Sequence, residues 1–456
     1  MPELKEGIFR EYDIRGIAAS ELADDPAERI AAAAAAVYVR EGKRRIAVGM
    51  DGRPSSPRIS GIVSRTLSRY GMEVIDLGLV PTPVVYFAVY HRNLDGAMVV
   101  TASHNPPEYN GLKVLVGRST LFGEQIRELY IIAAGGKFPP ERPGSIGRAR
   151  VIPEYLDYIL QNIRLNKKIK VVIDGGNGTA GLTAGELYRR LGAEVTEIFC
   201  EVDGRFPHHH PDPTREENLH DLMRKVAETG ADLGIAFDGD ADRIGVVDGT
   251  GAILWGDQLM VIFARDILRS HPGATIISEV KASEVLYSEI RRNGGVPIMW
   301  KAGHSLIKKK ISEENALLAG EMSGHIFFND KWFGFDDAVY AGARLLEILG
   351  NQSDSLAQTF QTIPKTFNTP EIRIDTTDEA KFKIVSAIQR HFKPLYEVND
   401  IDGARIRFPH GWALVRASNT QPALVVRFEA DSPEHLGEIR REVETALDRS
   451  RTSAGG

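Results

Sequence analysis

Residues 169–198 read IKVVIDGGNGTAGLTAGELYRRLGAEVTEI, and the alternation inside them decides the fold class. Ile169 to Ile173 is an apolar, β-branched run with the composition of a buried strand. A glycine-rich turn follows, then a helical pattern from Thr183 to Leu191, then a second strand from Glu194 to Ile198. The same rhythm occurs upstream: strand Arg45 to Met50, helix Arg58 to Tyr70, strand Glu73 to Leu77. It returns downstream as strand Ala274 to Ser278, helix Glu284 to Asn293 and strand Pro297 to Trp300. Repeated alternation of this kind predicts α/β units built on largely parallel sheets. The three units are alike in rhythm, as copies of one domain would be.

Punctuation divides the chain further. Ala134 to Arg148, rich in Gly and Pro, is predicted to loop between domains, and Asp248-Gly249-Thr250-Gly251 is a turn before the helix Gln258 to Arg269. Beyond Pro364 the style changes. Strands at Glu371–Ile374, Ala404–Phe408, Ala413–Ala417 and Ala423–Ala430 mix with helices at Glu379–Phe392 and Pro433–Leu447, which reads as an α+β terminal domain. The tail, Ser450 to Gly456, has nothing to bury and is predicted to fray.

The 456 residues suggest about three domains, and 43% hydrophobic residues suffice for ordinary cores. A net charge of -6 argues against nucleic acid or an acidic membrane as partner, so the positive charge needed for an anionic substrate has to be local. Cys200 is the one cysteine, which rules out an intramolecular disulfide and a multi-cysteine zinc site and fits a reducing cytoplasm. The amino terminus lacks the apolar stretch of a signal peptide. Ile30 to Val39 is too short to span a bilayer and reads as an alanine-rich helix on a core. A soluble, cytoplasmic protein is expected.

Two segments carry most of the chemistry. An apolar run from Leu94 to Val100 ends in Thr101-Ala102-Ser103-His104-Asn105-Pro106, a turn that offers a serine hydroxyl. No Gly-x-Ser-x-Gly elbow accompanies it, so a hydrolase serine is disfavoured. A phosphate on that hydroxyl would add about -1.5 to -2 charges. The second segment, Asp238-Gly239-Asp240-Ala241-Asp242-Arg243, follows the apolar run Ala231 to Phe237. On an extended chain its three carboxylates share one face. Like charges so placed call for a cation, and oxygen ligands favour a hard divalent ion, magnesium foremost. An EF-hand is excluded, because Arg243 and Gly249 stand where glycine and glutamate are required. Arg243 itself either braces the trio or faces a substrate oxygen.

Further polar segments are candidates for recognition. Glu321 and Ser323, in the loop Gly320-Glu321-Met322-Ser323-Gly324-His325, suit the vicinal hydroxyls of a sugar. Arg416, Ser418, Asn419 and Thr420, with Arg427 beyond, have the donors of an anion cradle, each charged hydrogen bond contributing roughly 1.5–3 kcal/mol. Gly176 to Gly181 matches Gly-x-Gly-x-x-Gly, the rival dinucleotide reading, but a dehydrogenase leaves the aspartate trio unexplained. His208-His209-His210 point in different directions and make a poor metal site, while Lys308-Lys309-Lys310 read as a solvated helical face.

Together these segments resemble the α-D-phosphohexomutases, and within them the bacterial phosphomannomutase/phosphoglucomutase group. The likeness covers nearly the whole chain, in order: the phosphoserine loop at Thr101–Pro106, the metal loop at Asp238–Arg243, the sugar loop at Gly320–His325 and the phosphate loop at Arg416–Thr420. Phe9-Arg10-Glu11-Tyr12-Asp13-Ile14-Arg15-Gly16 is similar to the family's opening signature. One position departs from a common form, Ala102 standing where many members have glycine.

The resemblance implies four domains around a central cleft: three similar α/β domains with mixed sheets and a smaller, mobile α+β domain. The boundaries fall at 1–150 for phosphoserine, 151–252 for metal, 253–364 for sugar and 365–456 for phosphate. It implies a phosphorylated Ser103, one Mg²⁺ held by that phosphate with Asp238, Asp240 and Asp242, and Tyr12, Arg15, Lys113, Arg243, Lys281 and His304 in the cleft. Lys113 and His325 are the candidates for proton transfer, a role that asks for a lowered lysine pKa. The implied reaction interconverts hexose 1-phosphate and 6-phosphate, of mannose or glucose, through a hexose 1,6-bisphosphate intermediate and activator. The Glu-Met-Ser triplet sets this group apart from phosphoglucosamine mutases, which stay as an alternative. A phosphoserine-dependent sugar phosphatase and a non-catalytic phosphosugar sensor are the other readings.

Overall fold

A computed structural model describes residues 4–418 and 422–454, with side chains to Arg451. Among the described residues the strands form four sheets. Three of them repeat one topology. In the first unit the parallel strands Glu73–Leu79, Arg45–Met50 and Gly96–Val100 lie side by side, and Tyr109–Val116 adds antiparallel to the last. In the second, Glu194–Ile198, Lys170–Asp174 and Leu233–Phe237 are followed by antiparallel Ile244–Asp248. In the third, Val296–Trp300, Thr275–Glu279 and Leu318–Gly320 are followed by antiparallel Ile326–Phe328. Numbered within each unit, the spatial order is 4-3-1-2 each time. The mixed sheets and the repeated domain expected from sequence are both present. The fourth sheet, built on Ala404–Phe408, Gly411–Ala417 and Ala423–Ala430, is antiparallel and carries helices Asp378–Phe392 and Pro433–Ala454.

This topology fixes where the functional loops go. The connection from strand three to strand four leaves the carboxyl ends of the parallel strands in every unit, the end where open α/β sheets present ligand sites. In successive units that connection is 101–108, 238–243 and 321–325. Ser103, the aspartate trio and the Glu321–His325 loop are therefore the same loop in three copies.

Packing joins the units. Helix Asp24–Arg40 buries Ala31 to Ala35, small residues that let neighbouring helices approach closely, and its first-turn Asp24 and Asp25 suit the positive helix end. Aromatic rings fill the junction. Phe87 of the first unit stacks on Trp332 of the third at 5.8 Å and meets Tyr155 and Tyr158 of the second edge-on at 5.6 Å. Such ring pairs contribute about 0.5–1.5 kcal/mol each beyond area burial.

Two expectations are corrected. Ala134–Arg148 is not only an interdomain loop, since Ser145–Arg148 pairs parallel with Glu73–Leu79 as an edge strand. The last helix runs on to Ala454, past Ser450 where fraying was predicted.

Asp337 caps helix Ala338–Gly350 by accepting from the Tyr340 amide at 2.8 Å, and it also accepts from the Tyr155 hydroxyl at 2.9 Å. Burial pushes its pKa up to about 7. Because that value lies above the unfolded one, Asp337 takes up a proton on folding, and its contribution to stability is lost as pH rises from about 4 to about 7. Asp337→Asn removes this dependence, worth at most about 4 kcal/mol. Denaturant midpoints at pH 5 and pH 8 should converge in the variant relative to the parent protein.

Candidate functional site

Ser103 is buried, and its backbone takes φ 50°, in the left-handed region that non-glycine residues seldom occupy. A cage holds it there. Arg53, fully buried, donates to the carbonyls of Ser103 at 2.8 Å, Asn105 at 2.6 Å, Pro106 at 2.5 Å and Tyr109 at 3.1 Å. Asp51 in turn holds Arg53 at 3.1 Å. The Ser103 amide donates to Thr101 Oγ1 at 2.9 Å, and its Oγ lies 3.0 Å from His104 Nδ1. The hydroxyl is aimed across a unit boundary, donating to Asp238 Oδ2 at 2.6 Å.

The aspartates converge by a turn rather than by strand alternation, a correction to the sequence reading. Residues 238–243 lie between strands, and Ala241 turns the chain with φ 63°. All three carboxylates are fully buried. Asp238 Oδ1 accepts from the amides of Asp242 and Arg243 at 3.0 and 3.2 Å. Asp240 Oδ2 accepts from the Thr82 hydroxyl at 2.6 Å and from Lys113 Nζ at 3.0 Å, and Lys113 also donates to Asp242 Oδ2 at 2.5 Å. Among the described residues, Asp240 Oδ1 and Asp242 Oδ1 have no hydrogen-bond partner. Buried, unsatisfied carboxylate oxygens are costly, and their convergence suits a hard cation. Burial, then Asp242 and Asp240, raise the Asp238 pKa well above the carboxylate range. Burial penalises the Asp240 charge most, but the Lys113 charge together with hydrogen bonds from Thr82, Lys113 and Asp238 overcomes it and lowers that pKa.

Lys113 departs from expectation. Burial opposes its charge, but Asp240 and Asp242 overcome that and raise its pKa well above the ordinary value, the reverse of what a general base needs.

The third unit closes the site. His325 Nε2 accepts from Arg243 Nε at 2.9 Å, and its Nδ1 lies 3.1 Å from Asp336 Oδ2 and 3.5 Å from Asp242 Oδ1. His304 stacks on His325 with centroids 5.3 Å apart, and burial followed by Lys308 lowers its pKa well below the ordinary value. Glu321 accepts from the Gly303 amide at 2.8 Å, while Tyr12 donates to Ala302 O at 2.6 Å. Ser323 is half-buried on the same loop. Arg15 donates to Asn105 Oδ1 at 2.6 Å and pairs with Asp13 at 2.5 Å.

The C-terminal domain reaches the same place. Arg416 pairs with Asp402 at 3.0 Å, and Asp402 accepts from the Ala302 amide at 3.0 Å. Lys281 lies 3.4 Å from both Glu279 and Glu371. The Ser418 carbonyl accepts from Lys381 at 2.8 Å, whereas Asn419 and Thr420 lie outside the described residues. Arg427 lies against Lys281 and against Met322 of the 321–325 loop. It donates to Lys281 O at 2.5 Å and lies 3.5 Å from Asp257, bracing this domain against the third unit.

Among these cations, Arg15 pairs with Asp13, Lys113 with Asp240 and Asp242, Lys281 with Glu279 and Glu371, and Arg416 with Asp402. Arg53, Thr82, Asp336 and Asp402 escaped the sequence reading. Asp51-Gly52-Arg53 directly follows a parallel strand, a position that could have flagged it. Lys308 also differs from expectation, since it is half-buried and paired with Asp336 at 2.9 Å rather than solvated. The glycine-rich turn is structural. Gly178 packs on the aspartate loop, where an added Cβ would lie 2.7 Å from Gly239 O.

The models of the phosphoglucomutase/phosphomannomutase α/β/α domains I, II and III match residues 6–137, 153–251 and 255–367, and the family's C-terminal domain matches 371–446. The chain belongs to the phosphoglucomutase/phosphomannomutase family. A phosphomannomutase/phosphoglucomutase of Pseudomonas putida is 46% identical over 97% of this chain and 96% of its own. A phosphoglucomutase of Neisseria gonorrhoeae is 43% identical over 98% of each chain. A crystal structure of a phosphoglucomutase/phosphomannomutase family protein from Burkholderia thailandensis superposes with a TM-score of 0.94, at 41% identity over 98% of both chains. The family uses a metal ion, and the aspartate trio here has the donors for one.

Arg53→Met should cost about 3–5 kcal/mol, because it uncovers several buried carbonyls and the Asp51 carboxylate. Chemical denaturation followed by tryptophan fluorescence measures the loss, and turnover per folded molecule should fall with it.

Proposed function

We propose that this enzyme is a phosphohexomutase interconverting hexose 1-phosphate and hexose 6-phosphate, with mannose and glucose as its sugars. The observation that carries the reading is the Ser103 hydroxyl 2.6 Å from Asp238, beside two buried carboxylate oxygens without partners. Phosphorylating Ser103 removes the proton that Asp238 Oδ2 now accepts. That oxygen then joins Asp240 Oδ1 and Asp242 Oδ1 in facing the added negative charge, and a cation becomes necessary. Asp238, Asp240, Asp242 and the phosphoserine would hold one Mg²⁺, which supplies positive charge against the transferring phosphoryl group.

The protein's own groups do the rest. The phosphoserine P–O bond breaks as a bond forms between phosphorus and the free hydroxyl of the sugar phosphate. The sugar hydroxyl gives up a proton, and the Ser103 oxygen recovers one. His325, its Nε2 facing Arg243, and Lys113, charged between Asp240 and Asp242, are the groups we assign to proton transfer and charge stabilisation. The hexose 1,6-bisphosphate then turns over and returns its other phosphate. Glu321 and Ser323 would grip hydroxyls 3 and 4 in both orientations, with Tyr12 and His304 beside them. Arg15, Lys281, Arg416, Ser418, Asn419 and Thr420 would receive the distal phosphate, and Arg427 would steady that cradle. Closure of the C-terminal domain would keep water from the phosphoserine.

We assign 1–150 to phosphoserine, 151–252 to metal, 253–364 to sugar and 365–456 to phosphate. The full-length relatives named for mannose and glucose do not favour glucosamine or a phosphatase. No described helix is long and apolar enough to cross a membrane. We place the enzyme in the cytoplasm on its single cysteine and its phosphosugar substrates.

Ser103→Ala should abolish conversion of glucose 1-phosphate and mannose 1-phosphate in coupled assays while circular dichroism shows the fold retained. Near-normal turnover would reject the phosphoserine role. Arg416→Ala removes a charged contact worth roughly 1.5–3 kcal/mol to phosphate, so kcat/KM should fall about 10- to 150-fold. Phosphosugar titration of the variant measures the same loss in binding.

A further inference from the structure

We propose that His410, Asp431 and His435 form a second metal site, selective for a divalent transition ion such as nickel or zinc. His410 sits in the turn between strands Ala404–Phe408 and Gly411–Ala417, Asp431 directly follows strand Ala423–Ala430, and His435 lies in the first turn of helix Pro433–Ala454. Both imidazoles aim Nδ1 at one carboxylate: His410 reaches Asp431 Oδ2 at 3.1 Å and His435 reaches Oδ1 at 2.5 Å. The backbone holds the donors in place. Asp431 N donates to His410 O at 3.1 Å, and His435 N donates to Ser432 Oγ at 3.1 Å.

The rings lie face to face, centroids 3.9 Å apart and 9° from parallel. An ion binds in the plane of an imidazole, so two stacked rings must splay to share one. Both are solvent-accessible, with side-chain exposures of 54% and 33%, and have room to do so. Water completes the coordination. Imidazole nitrogen selects nickel, zinc or copper over magnesium, whereas the all-oxygen trio in the cleft selects the reverse. The two sites therefore sort ions by ligand chemistry. His208 and His209 offer no comparable convergence, being bonded to Asn177 at 2.7 Å and Asp174 at 3.0 Å.

The site lies on the rim of a cavity of about 570 Å³ between the third unit and the C-terminal domain, whose lining includes none of the cleft residues. An ion there ties a hairpin turn to the start of the terminal helix within one domain and leaves the cleft untouched.

Calorimetric titration of Ni²⁺ into the full-length protein in saturating Mg²⁺ tests this. One equivalent should bind, weaken at least tenfold in H435Q and vanish in H410A/H435A, while mutase turnover in Mg²⁺ stays unchanged in both variants. Absence of binding by the parent protein overturns the proposal. So does an equivalent that survives in H410A/H435A, or one lost instead in H208A/H209A. If the double variant loses turnover through misfolding, H435Q decides: a tenfold loss of affinity supports the site and an unaltered affinity overturns it.

Discussion

Lys113 makes the rest of the cleft possible. Three carboxylates of one loop meet where water is excluded, and their mutual repulsion in that medium would open the loop. The Lys113 ammonium, inserted from the first unit between Asp240 and Asp242 of the second, neutralises part of that charge, and Arg243 sits on the other flank. The same contacts bring Ser103 against Asp238, so the arrangement that balances charge also places the hydroxyl. Stability and chemistry use one set of contacts here.

The short segments were legible because each directly follows an apolar strand. Ser103 and the trio stand at strand ends, where a loop leaves the sheet, and polar residues crowded there cannot be core. What stayed hidden depends on distant partners. Arg53 looks like any arginine until four carbonyls from residues 103 to 109 gather around it. Asp336 and Asp402 gain meaning only from His325 and Arg416. Lys308 was misread because a run of lysines says nothing of the carboxylate opposite. The trio was found for an imperfect reason: strand alternation predicts a shared face, whereas a left-handed residue at Ala241 produces it.

Rigidity is unevenly distributed. The first three units share one continuous apolar cluster, with Phe87, Tyr155 and Trp332 at its centre. The C-terminal domain has its own core and touches the third unit through a small patch, Val280 with Trp412 and Leu414, and through polar contacts of Arg405, Asp402 and Arg427. Polar contacts exchange with water at little net cost. The closure proposed for the C-terminal domain would exchange contacts of this kind and leave the shared apolar cluster of the other three intact.

Gly178, Gly239 and Ser103 meet through main-chain atoms: a side chain on Gly178 would strike Gly239 O, and one on Gly239 would strike Ser103 O. The spacing between the Ser103 loop and the acidic loop is thus set by peptide groups, whose dimensions no substitution alters. Neighbouring side chains are free to drift over evolutionary time without changing that gap, but any bulk gained at either glycine would wedge the two loops apart.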